Sequence, residues 1–351
     1  MQAILSVTVP FFALVLMGYL AARGGLVPGS AVAGLNAFVL FFALPCLLYR
    51  FGASTPFAQL LDPALLAVYG CSALLLVFFT IAMTVRRRRG GGGVPLRDAA
   101  FGALVTTFPN TGFMGVPLVA ALLGEQAAGP VIATILTDLF LTSSICIGIA
   151  QLQSAPGFER TTVPADTLED ALDEAEEESI EHPDSFGASI VRLVRGTLAN
   201  PLPWSIAAGA VASATGFTLT GPVDYVVRML AEAATPAALF TIGIVLARTD
   251  STTSAAPVTD ALSLALFKLL LHPAIVLAFG ILAHHAGIPI SPSGLTVLLL
   301  AAALPGANNV SLITQRYGAD TYRVARIIFF STLLAAATFP LLAWVLTQPG
   351  K

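Results

Sequence analysis

Ten stretches of about twenty mostly apolar residues follow one another along this chain of 351 residues, each long enough to cross the hydrocarbon core of a bilayer as a helix. They lie near residues 3–22, 32–50, 64–85, 98–122, 130–152, 198–216, 223–247, 260–284, 293–315 and 322–347. Charged residues make up only 11% of the chain, and the mean hydropathy is +0.85. A soluble domain, with about a quarter of its residues charged, could not hide so much apolar surface; a bilayer removes the need to hide it. The first stretch, MQAILSVTVPFFALVLMGYL, lacks a basic n-region and a clear cleavage site, so it reads as the first spanning helix. The fold class expected is an all-α membrane protein with ten transmembrane helices. Its solvent partner is the lipid bilayer, and the net charge of -3 points to no nucleic-acid partner. Cys46, Cys71 and Cys146 all fall inside apolar runs without metal-ligand spacing and read as small hydrophobes, so no metal site or cofactor is expected.

Two connections are long. Arg86, Arg87, Arg88 and Arg89 precede four glycines, a basic and flexible linker. Residues 154–189 hold eleven of the twenty acids, including Asp173, Glu174, Glu176, Glu177 and Glu178. Like charges at that density form no core, although Leu168, Leu172 and Ala175 leave room for a short amphipathic helix. This acidic segment reads as a solvated cytoplasmic loop between residues 1–153 and 190–351. Lysine and arginine bias sets the orientation. With the N-terminus outside, the cytoplasmic loops collect thirteen of seventeen basic residues and the opposite side only Arg50, Arg228 and Lys351. Both termini are therefore expected outside, in a multi-pass protein of the inner or plasma membrane.

The two halves repeat. Pro10, Gly18 and Gly25 recur as Pro201, Gly209 and Gly216 at an offset of 191, and Pro45 recurs as Pro236 at the same offset. Pro109 matches Pro305 at 196 and Gly124 matches Gly318 at 194. Each repeat carries five spans, an odd number, so the second copy enters the membrane from the opposite side. Inverted repeats of this kind are characteristic of secondary transporters.

Spans four and nine carry helix breakers near mid-membrane: Pro109, Asn110, Thr111 and Gly112 in one, Pro305, Gly306, Asn308 and Asn309 in the other. Proline removes a donor and clashes with the preceding turn, and unwound backbone is tolerated only inside protein or along a watery cavity. Matching breaks in the two halves point to a binding site. A helix restarting after a break offers N–H groups and a positive dipole end to an anion. Asn110, Thr111, Asn308 and Asn309 are thus candidate substrate-binding residues, with helix capping as their alternative role. Asp138, Glu232 and Lys268 are ionisable residues within spans, where charge is costly. Glu232 follows Arg228 by four residues, the spacing of an ion pair on one helix face. Asp138 and Lys268 have no partner on their own helices. Two tasks stay open: mutual neutralisation across the bundle, or binding of a coupling proton or sodium ion at Asp138. His272, His284 and His285 show no ligand spacing and read as structural or interfacial.

The string FPNTGFMGVPLVAALLGE resembles the fourth-span signature of the auxin efflux carrier family. The resemblance continues through NAFVLFFALPCLL, ATPAALFTIGIVLA, FKLLLHPAIV and AAALPGANNVSLITQRYGAD and covers essentially all the spans in order. It implies a scaffold from spans 1, 2, 6 and 7, and a mobile transport domain from spans 3–5 and 8–10 in which the broken spans cross. It also implies a homodimer and alternating access for a small organic anion, auxin-like or a mono- or dicarboxylate. By resemblance, Asn110 matches a crossover asparagine that contacts substrate, and Lys268 matches a basic position before the span-eight proline. The acidic loop is short beside that of the plant members with a long one, which suggests a prokaryotic-type member. Sodium-coupled symport of the bile-acid type shares the architecture, and sodium dependence separates it. A membrane sensor rests only on the acidic loop. No HExxH, no Gly-x-Gly-Asp and no serine beside a base occur, so no catalytic residues are expected.

Overall fold

The computed structural model describes residues 2–28, 30–55, 62–86, 94–124, 127–152, 201–248 and 257–347. The acidic loop and most of the basic, glycine-rich linker lie outside the described residues. The rest is helical: α1 (Gln2–Arg23), α2 (Ala31–Ser54), α3 (Pro63–Arg86), α4 (Leu96–Thr107), α5 (Thr111–Leu123) and α6 (Gly129–Gln151) in the first half. The second half holds α7 (Pro201–Thr215), α8 (Gly221–Arg248), α9 (Val258–His285), α10 (Pro292–Ala302), α11 (Asn309–Arg316) and α12 (Thr321–Leu346). Seven of these, α1, α2, α3, α6, α8, α9 and α12, are each long and apolar enough to cross a membrane.

Of the three other expected spans, two differ for a physical reason. The fourth and ninth are each two short helices, α4 with α5 and α10 with α11, because the chain unwinds at Pro109 and Pro305. For the sixth, α7 is the part that lies within the described residues, which resume at Pro201.

Prolines elsewhere are absorbed rather than broken upon. Wide π turns occupy Val39–Ala43, Thr111–Gly115 and Phe267–Leu271. Each starts six residues before a proline: Pro45, Pro117 and Pro273. The wider turn makes room for the pyrrolidine ring against the preceding carbonyls. A fourth, Asp138–Thr142, has no proline. There the Ser143 N–H closes the wide turn on the Asp138 carbonyl, and the Ser143 hydroxyl donates to the same oxygen at 2.9 Å.

Helix α1 lies along α8, and the second half of α2 packs on both α7 and α8. Glycine permits both approaches at backbone distance. A Cβ at Gly18 would strike the Phe240 carbonyl and one at Gly243 the Val15 carbonyl; a Cβ at Gly209 would strike the Tyr49 carbonyl. The remaining helices pack mainly on one another: α3 on α4 and α9, α4 on α6 and α12, and α9 on α10 and α12. One end of this group is tied by charge. Arg323, fully buried, donates from Nε to Asp260 Oδ2 at 2.7 Å and from Nη1 to the Asp98 carbonyl at 2.7 Å. Asp98 Oδ1 accepts the Asp320 N–H at 2.8 Å, and Asp320 caps α12 through the Arg323 N–H. The starts of α4, α9 and α12, which charge bias assigns to one side, therefore meet. So do Arg248 and Val27, and Arg50 and Asp224.

Candidate functional site

The two breaks touch. Pro109 and Gly306 face each other as an isolated antiparallel bridge. The Asn110 N–H donates to the Pro305 carbonyl at 2.8 Å, and the Ala307 N–H donates to the Phe108 carbonyl at 3.0 Å. Each unwound segment thus satisfies backbone groups that the other exposes, which allows both to stay buried in an apolar surround. At Asn110 the chain makes a tight inverse turn, φ -76° and ψ 54°, with the Thr111 N–H donating to the Pro109 carbonyl at 2.8 Å. The Asn110 carbonyl then accepts from Met114 and Gly115 at 3.1 and 3.0 Å, restarting the helix. Gly306 serves approach rather than unusual backbone angles. A Cβ there would lie 2.9 Å from the Val105 carbonyl oxygen, closer than real Cβ atoms come. The Gly306 N–H donates to Ser331 Oγ on α12 at 3.1 Å.

The candidate binding side chains sit at this crossing. Asn110 is 3% exposed and Thr111 is fully buried. Neither Asn110 nor Asn308 caps its helix through the side chain, so the capping alternative is not what their carboxamides do. The Oδ1 atoms of Asn308 and Asn309, with the hydroxyls of Thr107 and Ser311, are buried without a hydrogen-bond partner. Buried polar atoms are nearly always satisfied in folded proteins, and this unmet set lies at the two helix breaks. Thr111 differs: its hydroxyl is turned back toward the Pro109 carbonyl at 3.4 Å.

A second polar group lies directly behind the first break. Lys268, fully buried in the π turn of α9, donates from Nζ to the Thr107 carbonyl at 3.0 Å. Thr107 ends α4, so the ammonium sits on an orphan carbonyl at the negative end of a helix. The same Nζ lies 3.0 Å from His272 Nδ1. The His272 ring packs against Tyr69, centroids 5.6 Å apart, and the Tyr69 hydroxyl donates to Asp138 Oδ2 at 2.8 Å. The Thr142 hydroxyl donates to Asp138 Oδ1 at 3.0 Å. Asp138 and Lys268 therefore form no direct ion pair. Hydroxyls from Tyr69 and Thr142 occupy the carboxylate, and the end of α4 draws the ammonium away; His272 and Tyr69 bridge the gap.

Nothing in the chain alone singles out Tyr69, Thr142, His272 and Ser331 as partners. Two carry a local signal, since His272 follows Lys268 and Thr142 follows Asp138 by one helical turn of four residues. His284 and His285 lie side by side and exposed at the end of α9. Arg228 and Glu232 stand 3.9 Å apart on α8, as their spacing requires. No group of metal-ligating side chains occurs among the described residues.

A family model described as membrane transport protein matches residues 3–343. The chain belongs to this membrane transport protein family, which includes the auxin efflux carriers. Across 340 residues it is 29% identical to the "Putative malonate transporter" of Rhizobium meliloti (strain 1021), covering 96% of this chain and 94% of that protein. Across 360 residues it is 24% identical to auxin efflux carrier component 8 of Arabidopsis thaliana, covering 95% of each. Both similarities span the residues of α4–α5 and α10–α11, and the family is one of membrane transporters.

Proposed function

We propose that the protein is a secondary transporter that moves a small organic anion, a mono- or dicarboxylate, across the plasma membrane by alternating access. The observation that carries this reading is the buried meeting of two broken helices, with the carboxamide oxygens of Asn308 and Asn309 buried there without a partner. Substrate carboxylate binds at the crossing, held by the Asn110, Asn308 and Asn309 amides and the helix start at Thr111. Lys268 contributes positive charge from behind Thr107 without needing to touch the substrate. The names of the two relatives, one for malonate and one for auxin, agree on small carboxylates as the substrate class.

The architecture in this reading is ten spans in two inverted repeats. Its support is internal: Gly25 and Gly216 share positive φ values of 72° and 67°, and Gly124 and Gly318 share 91° and 61°. Gly18 packs at Gly243 and Gly209 packs at Gly52, so the two contacts exchange under the repeat offset of 191. Helices α1, α2, α7 and α8 form a fixed scaffold through which two copies pair as a homodimer. The other eight helices move as the transport domain, with both termini outside. A coupling proton or sodium ion, if one is used, binds at Asp138. Counterflow of labelled malonate and indole-3-acetate in proteoliposomes, with and without sodium, tests the reading. Exchange without sodium is expected, because Lys268 already supplies a cation at the crossing. Strict sodium dependence would favour symport of the bile-acid type, and no exchange of any small carboxylate would refute the reading.

A further inference from the structure

A cleft of about 220 Å³ opens between α2 and α8, lined by Leu47, Arg50, Phe51, Ser54, Arg228 and Glu232 among others. Its two guanidiniums are incompletely used. Arg50 makes one bond, Nη1 to Asp224 Oδ1 at 2.8 Å. Arg228 comes no nearer than 3.9 Å to Glu232 and lies over the Tyr225 ring at 5.2 Å. A guanidinium offers five donors in a fork that fits a carboxylate, so both retain free donors facing the cleft. Leu47 and Phe51 supply an apolar wall beside them. Glu232 keeps 71% of its side chain exposed although it stands well inside an apolar helix of 28 residues. A carboxylate so placed calls for a polar surround, and the Arg228 guanidinium and the cleft are what lie beside it.

The cleft is close to the crossing. Leu44, on α2, would stand 3.8 Å from a Cβ at Gly112, just after the first break. Arg50 lies six residues further along the same helix, about 9 Å toward its C-terminal end. The cleft therefore lies along α2 on the C-terminal side of its contact with the first break.

We propose that Arg50 and Arg228 form a second anion subsite, a staging site for an organic carboxylate on the path between the crossing and the face where α2 ends. The carboxylate is bound by the two guanidiniums in exchange for the Asp224 and Glu232 contacts, and its apolar body lies on Leu47 and Phe51. The inference deepens the transport reading and rests on it for the identity of the ligand.

The test uses full-length protein with Cys46, Cys71 and Cys146 replaced by alanine and the single change Ser54→Cys. The rate at which the thiol introduced at position 54 reacts with a charged thiosulfonate is followed in malonate, in indole-3-acetate and in chloride of equal ionic strength. Either carboxylate is expected to slow labelling where chloride does not. Arg50→Gln with Arg228→Gln should weaken that protection about tenfold or more, as loss of charge-assisted bonds does. Asn110→Ala should leave it in place. Protection absent for both carboxylates overturns the subsite. Protection lost in Asn110→Ala overturns it too, because the introduced thiol would then be reporting a conformational change driven from the crossing. Counterflow on the same protein keeps the two claims apart: exchange without protection sinks the subsite alone, and protection without exchange sinks the transport reading alone. Thermal melting of each variant confirms that it is folded.

Discussion

At the first break, the carbonyl that ends α4 receives a buried ammonium, and behind Lys268 stand His272, Tyr69 and Asp138. At the second, the Gly306 N–H is met by the neutral hydroxyl of Ser331. The backbone crossing itself is nearly symmetric, one donor and one acceptor from each side. Charge is not. In the first half, residues 72–77 of α3, which match the Lys268 region of α9 under the repeat offsets, read Ser-Ala-Leu-Leu-Leu-Val. Two unwound segments can satisfy each other by geometry alone, so the duplicated backbone can meet without charge. Electrostatics adapted to one ligand can then be built on a single side. Here that side is the first break, where Asn110 lies three residues beyond the carbonyl that Lys268 holds.

Lys268→Met breaks the comparison most directly. It strips the ammonium from Thr107 and His272 and should cost about 3–5 kcal/mol, as removing one member of a buried charged network does. Chemical denaturation in detergent measures this. Tyr69→Phe should follow with a loss of about 1.5–3 kcal/mol, the worth of a hydrogen bond to a charged group. Ser331→Ala orphans only the Gly306 N–H and should cost about 1–3 kcal/mol. If Ser331→Ala proves as damaging as Lys268→Met, the two breaks are equivalent and the asymmetry described above is wrong. Asn308→Ala should do least to stability, within about 1 kcal/mol or slightly stabilising, because it removes a buried acceptor that has no partner. Malonate affinity should nonetheless fall. A stability loss as large as that of Tyr69→Phe would mean that Asn308 is structural.

The positions of the helices and both breaks were legible in the chain, because apolar length, proline and carboxamide are local signals. That the breaks touch was not. Contact between Pro109 and Gly306 spans nearly two hundred residues, and only the resemblance to a known family implied it. Rotation of each helix about its axis was also hidden. A helix apolar on all sides carries little periodicity to say which face is buried, so nothing local set Tyr69 toward Asp138 or turned Lys268 away from it. Asp98, Asp260 and Arg323 lie at the ends of apolar runs, where charge looks solvated. The burial of Asp260 and Arg323 follows from three helices starting together and is a property of the packed bundle. His272, one turn from Lys268, is structural as expected, but its partner was not legible, and unlike His284 and His285 it is buried.

The central claim is that the crossing binds the anion, and the affinity of Asn110→Ala for malonate tests it most directly. Isothermal titration of the purified variant should show binding weakened by about ten- to a hundredfold, the worth of one charge-assisted hydrogen bond. Melting temperature should stay near that of the unmodified protein, because the Asn110 side chain caps nothing. Undiminished malonate affinity in a folded Asn110→Ala protein would contradict the account and place the substrate elsewhere.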